Sequence, residues 1–201
     1  MAKFRFPARI SRQLRRLGPG SNYIREHSRE VRLSGEAYFE VTKDEARCFN
    51  VIMEGATIEV MGTSFNASCY PGEGQCWAVL ESGKINLRTD HGVAAVNVGE
   101  CASYDIASGK VTVETVDLKY FTSWRYGTFY FYNTPLSEIV QKLGRWYDVN
   151  FKFADESLRD VCFSGAALRS KPIDFMLELL SSTQSLKFDI QSDGVIIIYK
   201  K

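Results

Sequence analysis

Between Arg29 and Val41 the apolar residues Val31, Leu33, Ala37, Phe39 and Val41 fall in step, separated by Arg32, Glu36, Tyr38 and Glu40. A period of two describes a strand with one buried face. The pair Ser34-Gly35 interrupts it where a bulge or bend is required. On this pattern Glu36 and Glu40 lie on the solvated face of the strand, and the segment belongs to a β-protein.

The same grammar continues to about residue 118 without a helical period. Val51 to Val60 alternates around Gly55-Ala56. Trp77 to Leu80 leads through Glu81-Ser82-Gly83-Lys84 into Ile85-Asn86-Leu87, a hairpin-like pattern. Val93 to Val98 is broken by Gly99-Glu100, and Ser108-Gly109 turns into Val111-Thr112-Val113. Short strands at regular spacing, with glycines able to take positive φ at the turns, read as a sandwich or a β-solenoid-like stack.

A different organisation starts near Trp124. Thr128 to Tyr132 is strand-like, with Phe129 and Phe131 on one face and Tyr130 and Tyr132 on the other. Thr134 and Pro135 suit the cap and first position of a helix running to about Tyr147. Leu136, Ile139, Val140 and Leu143 form its single apolar stripe. Val149 to Phe153 follows as a strand, and Val161 to Phe163 as another, ended by Ser164-Gly165. A second helix starts at Pro172, with Ile173, Met176, Leu177 and Leu180 facing the core and Asp174 near its positive end. Leu186 to Ile190 and Val195 to Tyr199 form a hairpin through Ser192-Asp193-Gly194. The order is β-α-β then β-α-β-β, and each one-sided helix must pack on a sheet.

Charge and cysteine content narrow the function. The 201-residue chain carries a net +1; residues 1–16 hold six basic residues and no acid, so the remainder carries −5. Such a body offers no footprint for a phosphate backbone. The basic start places Phe6, Ile10, Leu14 and Leu17 at near-helical spacing, but Gly18-Pro19-Gly20 follows and a disordered leader is the simpler reading. No run of eighteen apolar residues exists, and no secretory segment follows Met1. The five cysteines are irregularly spaced and the histidines are only His27 and His91, so a zinc site is not expected. Cys69 and Cys76 flank Pro71-Gly72-Glu73-Gly74 and either bridge that loop or act as small buried hydrophobes.

No set of residues supplies catalytic chemistry, and no cofactor is expected. Gly62-Thr63-Ser64-Phe65-Asn66 lacks the lysine and helix of a phosphate loop and reads as a turn with Phe65 as a core plug. Glu36 and Glu40 sit about 13 Å apart along a strand, too far for a glycosidase pair. His91 lies in a turn-like Asp90-His91-Gly92 and His27 in a polar stretch, so neither reads as a catalytic base. Tyr130, Tyr132 and Trp146 read as packing aromatics. Tyr104, Tyr120, Trp124 and Tyr126 leave a carbohydrate-binding β-sandwich module as the alternative function.

Several words, in order, resemble the periplasmic part of FecR-type regulators. GEAYFEV (Gly35–Val41), Phe49-Asn50-Val51, VMGTSFNASCY (Val60–Tyr70), the Leu80 to Ile85 step and Val98-Gly99-Glu100 are similar to the FecR domain. Phe131 to Leu136 and Leu143 to Val149 resemble the C-terminal domain attached to it, whose element order is similar to that of the short signalling domain of TonB-dependent transducers and secretins. The resemblance implies a multidomain chain. A leader (1–21) precedes a truncated all-β domain (22–118) and a linker (119–126), and a small α+β signalling-type domain (127–201) completes it.

It implies, further, a non-enzymatic periplasmic receiver whose partner is the signalling domain of a TonB-dependent outer-membrane transporter. An ECF sigma factor is reached only through a cytoplasmic domain, and the membrane only through a transmembrane helix, both missing here; nucleic acid is not a partner. The missing upstream strands leave an edge of the β-domain open. A physical route for docking is the last strand. At a sheet edge, Val195, Ile196, Ile197, Ile198 and Tyr199 would accept a partner strand; the alternative is a strand covered on both sides.

Overall fold

The alternating segments become strands. The computed structural model describes residues 2–5, 8–11, 28–183 and 186–201. Phe6, Leu14, Leu17, Gly18-Pro19-Gly20 and His27 lie outside the described residues. The chain is β-rich and divides into two compact units, Met1–Thr122 and Ser123–Lys201.

The first unit holds β1 (Ala2–Arg5), β2 (Ala8–Ser11), β3 (Ser28–Val41), β4 (Cys48–Ile52), β5 (Ala56–Val60) and β6 (Ser64–Cys69). β7 (Gln75–Ser82), β8 (Ile85–Thr89), β9 (Gly92–Val96), β10 (Glu100–Asp105), β11 (Val111–Thr115) and the helical turn α1 (Lys119–Thr122) complete it. All eleven strands belong to one sheet, ordered β11-β10-β7-β6-β3-β4-β5-β8-β9, with β1 and β2 also on β3. The two ends of that order approach each other, so the sheet is nearly closed around one core; Ala94 of β9 and Val111 of β11 pack on the same cluster. This differs from a sandwich or a stacked solenoid. The reason lies in β3, whose 14 residues reach two kinds of neighbour: β4 runs parallel to Ser28–Arg32, and β6 antiparallel to Gly35–Glu40. The change of partner falls at Ser34-Gly35, where Gly35 has φ 114°. Successive strand twists then wind one sheet round instead of stacking two.

Part of the leader, expected to be disordered, forms strands. β1 and β2 pair antiparallel with β3 in the same register, Ala2 to Arg5 opposite Val41 to Tyr38 and Ala8 to Ser11 opposite Gly35 to Arg32. β6 occupies one edge of β3 and β4 stops at Arg32, so the basic segment satisfies backbone groups that β4 leaves unpaired. Ile10 thus lies in a strand, not on a helix face.

The expected hairpin from Trp77 to Leu87 does not form. β7 pairs with β6 and β10, while β8 pairs with β5 and β9, so Gly83-Lys84 is a corner where the chain crosses the sheet. Gly62-Thr63 is a second corner beside it: the Thr63 hydroxyl donates to the Lys84 carbonyl at 2.9 Å. A side chain on Gly83, whose φ is +91°, would come within 2.5 Å of the Gly62 carbonyl oxygen. Phe65 is the core plug that the sequence suggests, fully buried and stacked on Phe39 at 4.8 Å.

The second unit contains a 3-10 turn (Ser123–Tyr126), β12 (Thr128–Pro135), α2 (Leu136–Tyr147), β13 (Asn150–Phe153), β14 (Cys162–Leu168), α3 (Ile173–Thr183), β15 (Leu186–Ile190) and β16 (Val195–Lys200). Residues 119–126, read as a linker, are therefore two short helical turns, the first closed by Thr122 bonding back to Leu118. β12 pairs with β14, and β13, β16 and β15 form a three-stranded sheet. One core joins both sheets to both helices, with Phe129, Leu136, Ile139, Leu143, Phe163 and Met176 among its buried members. Each such side chain contributes roughly 1.5–3 kcal/mol by leaving water.

Local details depart from the sequence reading in two places. Thr134 does not cap α2; its hydroxyl bonds to Tyr132, and Pro135 ends β12 while occupying the cap position. β14 runs through Ser164-Gly165, because Gly165 lies opposite Phe131 and a Cβ there would meet that ring at 3.2 Å.

Candidate functional site

The final strand is central, not peripheral. β16 runs parallel to β13, from Asn150 opposite Val195 to Phe153 opposite Ile198, and antiparallel to β15. Both of its backbone edges are occupied, so a partner strand cannot pair with Val195–Tyr199. The hairpin explains one neighbour; the other arrives from some 45 residues upstream through a parallel crossover. Side chains divide by parity. Ile196 and Ile198 point into the core at 1% and 0% exposure, whereas Val195, Ile197 and Tyr199 are half-buried on the opposite face. The opposite face of the sheet thus carries a central apolar stripe, with exposed Asn150 and Lys152 on one side and exposed Lys187 and Asp189 on the other.

Among the described residues the edges of this sheet are β13 and β15. Beside β13 and α2 lies a groove of about 520 Å³, lined by Val140, Gly144, Phe151 and Phe153, with Arg145 and Arg159 at its rim. Gly144 is needed there, since a Cβ would stand 2.8 Å from the Val149 carbonyl oxygen. Arg159 is paired with Glu156, and that hydrogen bond holds the Glu156 carboxyl below its ordinary pKa. A second groove, about 560 Å³, runs between α3 and β15 over Leu177, Leu186 and Phe188.

The first unit has its own buried polar feature. Glu36, placed on the solvated face by alternation, is only 8% exposed. Asn66 explains it: its side-chain amide donates to Glu36 Oε1 at 2.8 Å and to the Phe121 carbonyl at 2.7 Å. The segment around α1 therefore lies over this face of β3, β6 and β7, with Phe121 edge-on to Trp77 at 5.3 Å. Tyr38 is buried on the same face and donates to Glu81. Glu40 remains exposed, as alternation requires. Asn66 was invisible as an anchor because its partners lie 30 and 55 residues away.

Cys69 and Cys76 sit directly opposite one another on β6 and β7 and form a disulfide. Cys48, Cys101 and Cys162 are free, and burial pushes the Cys101 thiol up to about 11. Among the other candidates, His91 stands in the β8–β9 turn against Gly109. Tyr130 and Tyr132, read as packing residues, are exposed, while Trp146 packs edge-on against Phe129 at 6.1 Å. Tyr104 is 7% exposed inside the first unit's core, which withdraws it from any sugar-binding face. Among the described residues, no three acidic, cysteine or histidine side chains cluster as metal ligands.

A family model described as FecR protein matches residues 16–86, and one described as FecR, C-terminal, matches residues 128–198. The chain belongs to the FecR family. Its FecR match falls in the first structural unit and its FecR C-terminal match in the second. Two crystal structures of a candidate anti-sigma factor from Parabacteroides distasonis, at 1.65 and 2.50 Å, share the fold of this FecR-family chain. Both align with a TM-score of 0.77 at 24% identity, covering 87% and 90% of this chain and 81% and 84% of theirs. Among curated proteins none matches. No helix among the described residues is long and apolar enough to cross a membrane.

Proposed function

We propose that this chain is the signal-receiving part of a FecR-type regulator, one that relays the state of a TonB-dependent outer-membrane transporter to an ECF sigma factor through protein–protein contact. The observation that carries the reading is the pair of family matches in FecR order, one in each structural unit. In this reading residues 22–118 are the FecR domain, 127–201 are the signalling-type α+β domain, and 119–126 join the two. The Cys69–Cys76 disulfide supports a periplasmic address, because such bridges persist in oxidising compartments. The sigma factor would be reached through a cytoplasmic part of the full regulator.

The docking surface is the outward face of the three-stranded sheet. Val195, Ile197 and Tyr199 supply half-buried apolar contact there, and Lys152 and Lys187 supply a charged rim. A central apolar stripe with a polar rim is the usual anatomy of a protein interface. The five residues named from sequence thus split: three offer side chains to a partner, and Ile196 and Ile198 hold the strand in place. Titration calorimetry of the chain against the signalling domain of a cognate TonB-dependent transporter tests this. Binding should weaken at least ten-fold in an Ile197→Thr/Tyr199→Ala variant whose melting curve still shows one folded population. Absence of binding by the unmodified chain, or equal affinity of the variant, would contradict the reading.

A further inference from the structure

Among the described residues β15 is an unpaired edge, and its sequence is complementary to itself. Leu186-Lys187-Phe188-Asp189-Ile190 reads with the same apolar–charged alternation in both directions, and the two charges have opposite sign. The backbone fixes which groups face outward. Gln191 donates to the Val195 carbonyl at 2.8 Å, and 191 and 195 continue the register in which Ile190 faces Ile196. In an antiparallel ladder hydrogen-bonding direction alternates, so Asp189 and Lys187 also turn their amides toward β16. Leu186, Phe188 and Ile190 therefore direct their N–H and C=O groups away from the sheet, and none of these groups has a partner among the described residues.

We propose that this edge pairs with β15 of a second copy of the chain, antiparallel and centred on Phe188, to form a twofold dimer with a continuous six-stranded sheet. In that register Phe188 faces Phe188 of the partner subunit and Leu186 faces the partner's Ile190. These are the positions whose backbone groups point outward, so every outward donor finds an acceptor. Lys187 then faces the partner's Asp189 in a non-hydrogen-bonded pair, the closer kind, and the symmetry makes this contact twice. Shifting by one residue would set outward-pointing groups against inward-pointing ones. Shifting by two would lose both Lys–Asp contacts and set Lys187 against its own copy, or Asp189 against its own copy.

Side-chain placement agrees. Lys187 and Asp189 are exposed on one face, and Ile190 is 52% exposed at the strand end, an apolar residue the partner's Leu186 would cover. The groove along α3, floored by Leu177 and Leu186, leaves room beside the edge for the partner's Leu186, Phe188 and Ile190. Charges on edge strands commonly prevent pairing, and a run of lysines would do so here. A Lys-x-Asp strand instead repels a parallel neighbour in register and attracts an antiparallel copy. The five-residue ladder makes a small interface, so the dimer is expected to dissociate on dilution.

The test uses the full chain and charge reversal. Sedimentation velocity between 1 and 200 µM should show a concentration-dependent dimer. Lys187→Asp and Asp189→Lys should each raise the dimer dissociation constant at least ten-fold. An equimolar mixture of the two should restore dimerisation, because positions 187 and 189 are then both acidic in one copy and both basic in the copy they face. Ile190→Pro, which removes an outward N–H that β16 does not use, should abolish the dimer while circular dichroism is unchanged. A chain that stays monomeric throughout, single reversals that dimerise like the parent, or a mixture that stays monomeric would each overturn the proposal.

Discussion

Asn66 offers the sharpest test of how the first unit is held together. Its side chain is fully buried and spends its amide on Glu36 and on the Phe121 carbonyl, at 2.8 and 2.7 Å. Replacing it with alanine removes a bond to a carboxylate, about 1.5–3 kcal/mol, and a neutral bond of about 1 kcal/mol. The side-chain oxygen is buried with no partner among the described residues, so its loss returns about 1 kcal/mol. The net destabilisation is about 1.5–3 kcal/mol. At a urea slope of about 1.5–2 kcal/mol per molar, the midpoint should fall by about 1–2 M. With Trp124 and Trp146 replaced by phenylalanine, Trp77 is the remaining one of the chain's three tryptophans and reports directly, since it contacts Phe121 edge-on. Asn66→Asp should be worse at neutral pH and recover on acidification. Two facing carboxylates raise the folded-state pKa of at least one, and a raised acid withdraws stability as pH rises. A midpoint shift below about 0.3 M for Asn66→Ala, or an Asp variant indifferent to pH, would refute the reasoning.

The geometry sets three further outcomes. Replacing Cys69 and Cys76 with serine should cost about 2–2.5 kcal/mol for a bridge with a sequence separation of 7, read as an equal loss on adding reductant to the parent. Gly83→Ala combines positive φ with a 2.5 Å approach to the Gly62 carbonyl, so about 3 kcal/mol and a melting point lower by about 6–12 °C are expected by calorimetry. Burial pushes Cys101 from 9.0 up to about 11. The unfolded thiol ionises first, so stability should decline between these pH values in the parent and less so in Cys101→Ala. A thiol titration of the folded chain at pH 8 should find exposed Cys162 fastest and buried Cys101 silent.

Local periodicity made the elements legible. The stripe Leu136, Ile139, Val140 and Leu143 set α2 to within one residue at its start, and the glycine-centred Ser192-Asp193-Gly194 turn joined β15 to β16. What periodicity could not give was neighbourhood. The position of β16 depends on β13, a parallel partner brought in by a crossover, so an apparently terminal strand became central. Glu36 obeyed the alternation in direction but not in exposure, because Asn66 and the α1 segment cover that face. The Cys69–Cys76 bridge needed the register of β6 against β7, which spacing alone leaves open. Residues 119–126 show no apolar period because they form only two short turns.

Hydrogen exchange by mass spectrometry, with and without the signalling domain of a cognate TonB-dependent transporter, reads the docking face residue by residue. Exchange should slow on complex formation within residues 150–153 and 186–200, where the three-stranded sheet faces its partner. Protection confined to the first unit, or none at saturating partner, would contradict docking there.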